Sequence, residues 1–156
     1  MLKRIAIEPD RFDHFFLSIA EDTAQLSKDS TKVGAVIVKD RRILSNGYNG
    51  FPRGVNDDVA GRKERPAKYL YTVHAEINAI LNASRTGVSV EGATLYLNYS
   101  PESICAGCTA ALIQAGIADV RGSKYRTFPN PSVWNDSFIA AEEMSEEVGM
   151  VRYLFI

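Results

Sequence analysis

Two cysteines three residues apart, Cys105 and Cys108, and one of two histidines, His74, are the scarce side chains with the most chemistry to offer. Each group opens a predicted helix: His74-Ala75-Glu76 one, Cys105-Ala106-Gly107-Cys108 another. Two thiols at i and i+3 in a first helical turn can reach one ion, and the positive end of the helix dipole favours them as thiolates. An imidazole from His74 makes three protein ligands, and tetrahedral zinc with three protein ligands keeps a fourth position open for chemistry. Zinc lowers the pKa of a water it holds to roughly 7. Glu76 is two residues past His74; in a first turn both side chains can point beyond the helix end, which makes Glu76 a non-ligand acid and base beside the metal.

Each piece has a plainer reading. Cys105, Cys108 and Leu112 also form an i, i+3, i+7 apolar stripe, and a buried free cysteine behaves as a small hydrophobe. A strand followed by Cys-x-x-Cys at a helix start also suits a redox pair. His-Ala-Glu alone is a weak signal. Joined at two helix starts, with 31 residues from His74 to Cys105, the pieces match the His-x-Glu plus Cys-x-x-Cys arrangement of zinc nucleobase deaminases. His14, on a polar helix face, reads as a surface residue.

The elements that must position these groups follow from periodicity. Phe12, Phe16, Ile19, Thr23 and Leu26 mark a helical face with Asp10 as its N-cap. Val33–Val38 reads as a buried strand, Lys39-Asp40-Arg41 as a turn and Arg42–Asn46 as its hairpin partner. Gly47 to Tyr71 reads as a long loop, and long loops in compact domains tend to be functional. Arg62, Lys63, Arg65 and Lys68 form a basic cluster in it; a solvated loop is the preferred reading, an anion or subunit contact the alternative. A helix from about Val73 to Ala83, a strand at Ala93–Asn98, a helix from about Cys105 to Ala115 ending at Gly116 and a strand at Ala118–Gly122 follow. After a Pro129-Asn130-Pro131 turn, Trp134, Phe138, Ala141, Met144 and Val148 mark a last helix, with Trp134 a core anchor. Its acidic residues (Glu142, Glu143, Glu146, Glu147) read as a solvated face. Met150–Ile156 is the last strand. The order predicts an α/β fold: a three-layer α-β-α sandwich with a mixed five-stranded sheet, whose parallel strands deliver both metal-bearing helix starts to one edge.

Composition narrows the function classes. The 156 residues, with 18 Lys+Arg against 19 Asp+Glu, make one domain, 1–156, with no global attraction to nucleic acid or to anionic membrane. No apolar run is long enough to span a bilayer. Glu8 interrupts the cationic start before an apolar core forms, so no secretory signal is expected. Two cysteines make no disulfide framework and point to a reducing, cytoplasmic setting.

The sequence resembles the cytidine and deoxycytidylate (dCMP) deaminase family, and within it the dCMP deaminases, from about Phe15 to the C-terminus. The resemblance rests on Ser27-Lys28-Asp29-Ser30-Thr31-Lys32-Val33-Gly34-Ala35-Val36-Ile37-Val38, Gly47-Tyr48-Asn49-Gly50-Phe51-Pro52-Arg53-Gly54, His74-Ala75-Glu76-Ile77-Asn78-Ala79-Ile80, and the run from Cys105-Ala106-Gly107-Cys108 to Gln114-Ala115-Gly116-Ile117. It implies one Zn2+ on His74, Cys105 and Cys108, Glu76 as proton shuttle, and deamination of dCMP to dUMP, with another aminated base or a non-catalytic zinc and nucleotide module as alternatives. It further implies that Asn49 contacts the sugar and the backbone near Ala75 the pyrimidine carbonyl. Ser27, Lys28 and Tyr125 fall close to the nucleotide pocket. Regulated members bind dCTP and dTTP at the loop of Gly47, Tyr48, Gly50 and Arg53, and the family forms homo-oligomers, dimers or hexamers. One departure stands out. The family usually has Pro directly before its first zinc cysteine, whereas Ser100-Pro101-Glu102-Ser103-Ile104 precedes Cys105; Glu102 and Ser103 either bulge outward, the preferred reading, or reshape the pocket. No His/Cys cluster between Gly54 and Val73 offers a second, structural zinc.

Overall fold

The computed structural model describes residues 4–128 and 131–156. Its centre is one six-stranded sheet in the order β1-β6-β5-β4-β2-β3. The strands are β1 (Arg4–Ile7), β2 (Gly34–Lys39), β3 (Arg42–Tyr48), β4 (Thr94–Leu97), β5 (Asp119–Ser123) and β6 (Val151–Phe155). β2 runs antiparallel to both β3 and β4, while β4, β5, β6 and β1 are mutually parallel. The mixed sheet is therefore as expected, but with six strands rather than five. The extra strand, β1, is four residues long and mostly exposed. It exists by pairing with β6, at the far end of the chain, and local sequence carries little trace of such a pairing.

Helices cover both faces. The strand pleat sends Val36, Val38, Tyr96 and Phe155 to one side, where they pack on Phe16 and Ala20 of α1 (Arg11–Ala24). It sends Ala35, Ile37, Leu95, Leu97 and Val120 to the other, against α3 (Ala75–Arg85) and α4 (Ala106–Ala115). Between β3 and α3 lies a single turn, α2 (Lys68–Tyr71), inside the stretch expected to be loop. The last helix, α5 (Asn135–Val148), packs beside α4.

Local rules set the ends of these helices. Asp10 and Asp13 form a reciprocal capping box at the start of α1. That helix stops at Ala24, so Leu26 lies beyond it and is 64% exposed, outside the apolar face. In α5 the buried positions are Ala141 and Ser145, and Val148 is exposed. His14 is on the surface, as expected. Of the Pro129-Asn130-Pro131 turn, residues 129 and 130 lie outside the described residues, as do residues 1–3 of the chain start.

The docking of α3 on β3 fixes the height of His74 above the sheet. It depends on Gly47, where a Cβ would lie 2.3 Å from the Ala79 nitrogen and 2.6 Å from the Ala75 carbonyl oxygen. Gly47 is thus a close-approach glycine between strand and helix. Asn78, one turn into α3, strengthens the same joint by donating to the Tyr48 carbonyl at 2.7 Å.

Candidate active site

β3 and β4 end at the same edge of the sheet, and the chain leaves each toward a helix start. From β3 it runs through the long loop to a short bridge between Gly50 and Val73, which fixes the residue before His74. From β4 it passes a 3-10 turn, Pro101–Ser103, capped by the Ser100 hydroxyl. His74 is the N-cap of α3 and Cys105 the N-cap of α4. As caps both have extended backbones, and neither side chain is constrained by the helix cylinder, so both turn toward the gap between the helix starts. Cys108 follows one turn into α4 and is 2% exposed.

The His74 Nδ1 atom lies 3.2 Å from Cys108 Sγ and 3.5 Å from Cys105 Sγ. The three ligand atoms all fall within 4.8 Å of one another. Their electrostatics are those of a site built for a cation. A hydrogen bond from the Cys108 thiol holds the Cys105 thiol down at about 4 against the opposing effect of burial, and His74 adds to the lowering. The same pairing, with burial, pushes the Cys108 thiol up, and the hydrogen bond to Cys105 lifts His74 to about 8. The three groups therefore share protons among themselves. A metal that binds both thiolates and a neutral imidazole takes the place of those protons. One imidazole and two convergent thiolates are a donor set that fits zinc.

Glu76 is buried, in the first turn of α3 beside Cys108. Burial pushes its carboxyl up; His74 pulls the other way. Such a carboxyl takes and gives a proton readily. Glu76 and His74 line a cavity of about 100 Å³ with Ala75, Asn49, Val33 and Thr31.

A profile of the cytidine and deoxycytidylate deaminase zinc-binding region matches residues 10–123. The chain belongs to that family. An uncharacterized deaminase encoded in the luxG 3' region of Aliivibrio fischeri is 41% identical over 136 residues, which cover 86% of this chain and 87% of that protein. Human deoxycytidylate deaminase is 40% identical over 113 residues, covering 68% of this chain. The matched part spans about three-fifths of the human enzyme, 61%. The crystal structure of a dCMP deaminase from cyanophage S-TIM5, in complex with dCMP and dUMP, shares the fold at a TM-score of 0.69 and 23% identity, covering 96% of this chain and 100% of that one. Membership brings zinc-dependent hydrolytic deamination as the family's activity.

Asn49 is buried and lines the cavity. Its Oδ1 accepts from the Val33 backbone at 2.9 Å and its Nδ2 donates to the Thr31 carbonyl at 2.8 Å, which leaves one N–H for a ligand. Ala75 is fully buried at the cavity floor. Ser27 and Lys28 do not line this cavity. The Ser27 hydroxyl donates to the Asn49 carbonyl at 2.8 Å, so Ser27 holds Asn49 from behind. Lys28 faces outward, paired with Asp57 at 3.1 Å. Tyr125 is not brought to the pocket either: it is 74% exposed, just past the end of β5.

Tyr48, Gly50 and Arg53 line a second, larger hollow of about 540 Å³ together with Lys28, Lys63 and Asp57. Asp29, Asn49, Lys68 and Thr72 form the wall it shares with the catalytic cavity. Glu102 turns away from the chemistry, pairing with Arg4 of β1 at 2.6 Å, while Ser103 and Ile104 are buried behind it. Of the segment before Cys105, only Glu102 turns outward; Ser103, expected to bulge with it, is buried with Pro101 and Ile104.

The residues that sequence reasoning placed elsewhere are informative. Lys68, assigned to a solvated loop, is buried in the catalytic cavity with its ammonium 3.0 Å from Asp29. Arg65 lines the same cavity, as do Phe128 and Trp134. The basic cluster was the visible signal for Arg65 and Lys68; α2 turns Lys68 inward, while Lys63 and Arg65 stay exposed as the solvated reading has them.

Proposed function

We propose that this protein converts dCMP and water to dUMP and ammonia. The observation that carries the reading is a cluster of three zinc donors whose His74 opens onto one cavity together with a buried carboxyl and a cationic wall. His74, Cys105 and Cys108 would hold the zinc, which supplies Lewis acidity at the reacting centre when bound. Glu76 takes a proton from the attacking water and delivers it to N3 of the pyrimidine; its second delivery is to the amine that leaves C4. Burial suits it to both directions of transfer. The backbone at Ala75 and the free N–H of Asn49 orient base and sugar. A redox reading of Cys105 and Cys108 leaves the buried Glu76 and the facing imidazole without work, and so does a non-catalytic zinc module.

Two cations against one carboxylate support a monophosphate over a bare nucleoside. Lys68 is paired with Asp29, and Arg65 has no ion-pair partner among the described residues. This cavity end therefore carries a net positive charge. The second hollow, sharing Asp29 and Lys68 with the first, supports dCTP and dTTP as effectors bound at the Gly47–Arg53 loop. Exposed apolar side chains on α2 and α3, Leu70 and Leu81, support assembly as a homo-oligomer, a dimer or hexamer. Among the described residues no helix is long and apolar enough to cross a membrane. Thiols kept as metal ligands fit a cytoplasmic location.

The test is ammonia release by zinc-loaded protein from a panel of dCMP, deoxycytidine, cytidine, cytosine, guanine and adenosine. We expect dCMP to have the highest kcat/KM, deoxycytidine to follow well behind, and added dCTP or dTTP to shift the dCMP velocity curve. Preference for guanine or adenosine overturns the substrate; deoxycytidine turned over as well as dCMP overturns the phosphate.

A further inference from the structure

Trp134 is the single tryptophan of the chain. Sequence alone made it a core anchor, yet it belongs to neither buried cluster of the sheet and lines the catalytic cavity instead. Its ring centroid is 6.2 Å from that of His74, with the planes at 74°. A similar edge-on contact at 5.6 Å and 87° holds it against Tyr69 of α2. Trp134 therefore bridges the metal-bearing start of α3 and the turn that carries Lys68.

Its position is set by a joint between two helices. Trp134 directly precedes α5, and Ser137, in the first turn of that helix, accepts a hydrogen bond from the Ala106 backbone at 2.8 Å. Ala106 follows Cys105, so the bond satisfies an otherwise free N–H of the α4 start. It fixes the beginning of α5, and the indole with it, against the cysteine pair. Phe128, the other aromatic near the donors, packs back on Tyr99 at 4.6 Å and forms wall rather than approach.

We propose that Trp134 holds the base of the bound substrate by stacking on its face. This rests on the deaminase reading above and adds to it the surface that recognises the ring. The ligand is a flat π heterocycle that must present one edge to Glu76 and the zinc donors. An aromatic plane beside His74 supplies the missing face contact, and stacking of a base on an aromatic side chain is tolerant of its edge groups, which are left to the backbone at Ala75.

The residue reports on itself, because all tryptophan emission comes from this one indole. Titration with dUMP is expected to change the emission saturably, whereas 2-deoxyribose 5-phosphate, which lacks the base, leaves it unchanged. In steady-state assays W134A should raise KM for dCMP on the order of tenfold, with W134F recovering most of the loss and both variants keeping wild-type zinc content. A merely structural role would instead lower zinc content or Tm and would leave the emission blind to the base. Binding of dUMP, seen by calorimetry, without an emission change overturns the proposal, as does a W134A enzyme with wild-type KM. If W134A fails to fold, the wild-type titration and W134F still decide. Absence of dCMP turnover by the wild type counts against the functional reading alone, and failure of dUMP to bind counts against both.

Discussion

Replacing Glu76 by Gln is expected to lower kcat on dCMP by about 10²–10⁴-fold, the usual contribution of a positioned general acid–base group. Zinc content and fold should stay as in the wild type. The expectation follows from where the carboxyl is. It is 4% exposed, in the first turn of α3, two residues from one metal donor and beside another. Burial raises its pKa while the His74 side lowers it. Gln fills the same space and keeps the hydrogen-bonding oxygen, so packing against Cys108 survives; only the transferable proton is lost. KM should move little, because the group acts on the reacting atoms rather than on sugar or phosphate. A Gln variant with kcat within about tenfold of wild type would remove Glu76 from the proton path.

Cys108→Ser is expected to lose both zinc and activity. Cys108 is nearly inaccessible, and its sulfur is 3.2 Å from the imidazole nitrogen. Its pKa is pushed up because Cys105 holds the negative charge of the pair, so a cation is what allows the second thiolate to form. A serine hydroxyl offers no comparable ligand. Substitutions that only support a metal ligand typically cost 10–100-fold in affinity, so loss of the ligand itself should cost more than about 100-fold. Zinc measured by mass spectrometry after dialysis should fall from one per chain toward none, and Tm should drop because bound metal stabilises only the folded state. A serine variant that retains a full equivalent of zinc would show that the ion sits elsewhere.

The parts of the molecule that were legible in the sequence are those governed by short-range rules. Asp10 announces α1 through its capping box, and Gly116 ends α4 in the left-handed conformation at φ 90°. Cys105 and Cys108 declare their helix start by spacing, and His74 with Glu76 the other; joining them required only that parallel strands end at one edge. What stayed hidden depends on partners distant along the chain. β1 is defined by β6. Lys68 is buried because Asp29, 39 residues away, neutralises it. Trp134 reaches the cavity because Ser137 is fastened to Ala106, 31 residues off. In the opposite sense, Tyr125 matches a familiar pattern but is 74% exposed. Glu102 was ambiguous until Arg4 appeared beside it on a strand that the sequence does not advertise.

The central claim is that His74, Cys105 and Cys108 hold one zinc ion in a centre open to substrate. X-ray absorption at the zinc edge of the purified, metal-replete protein tests it most directly. One zinc per chain with two sulfur and one nitrogen donors from the protein, and a spectrum that changes when dUMP is added, is the predicted result. Protein without zinc, a metal shell lacking sulfur, or a Cys105–Cys108 disulfide in metal-replete protein would contradict it.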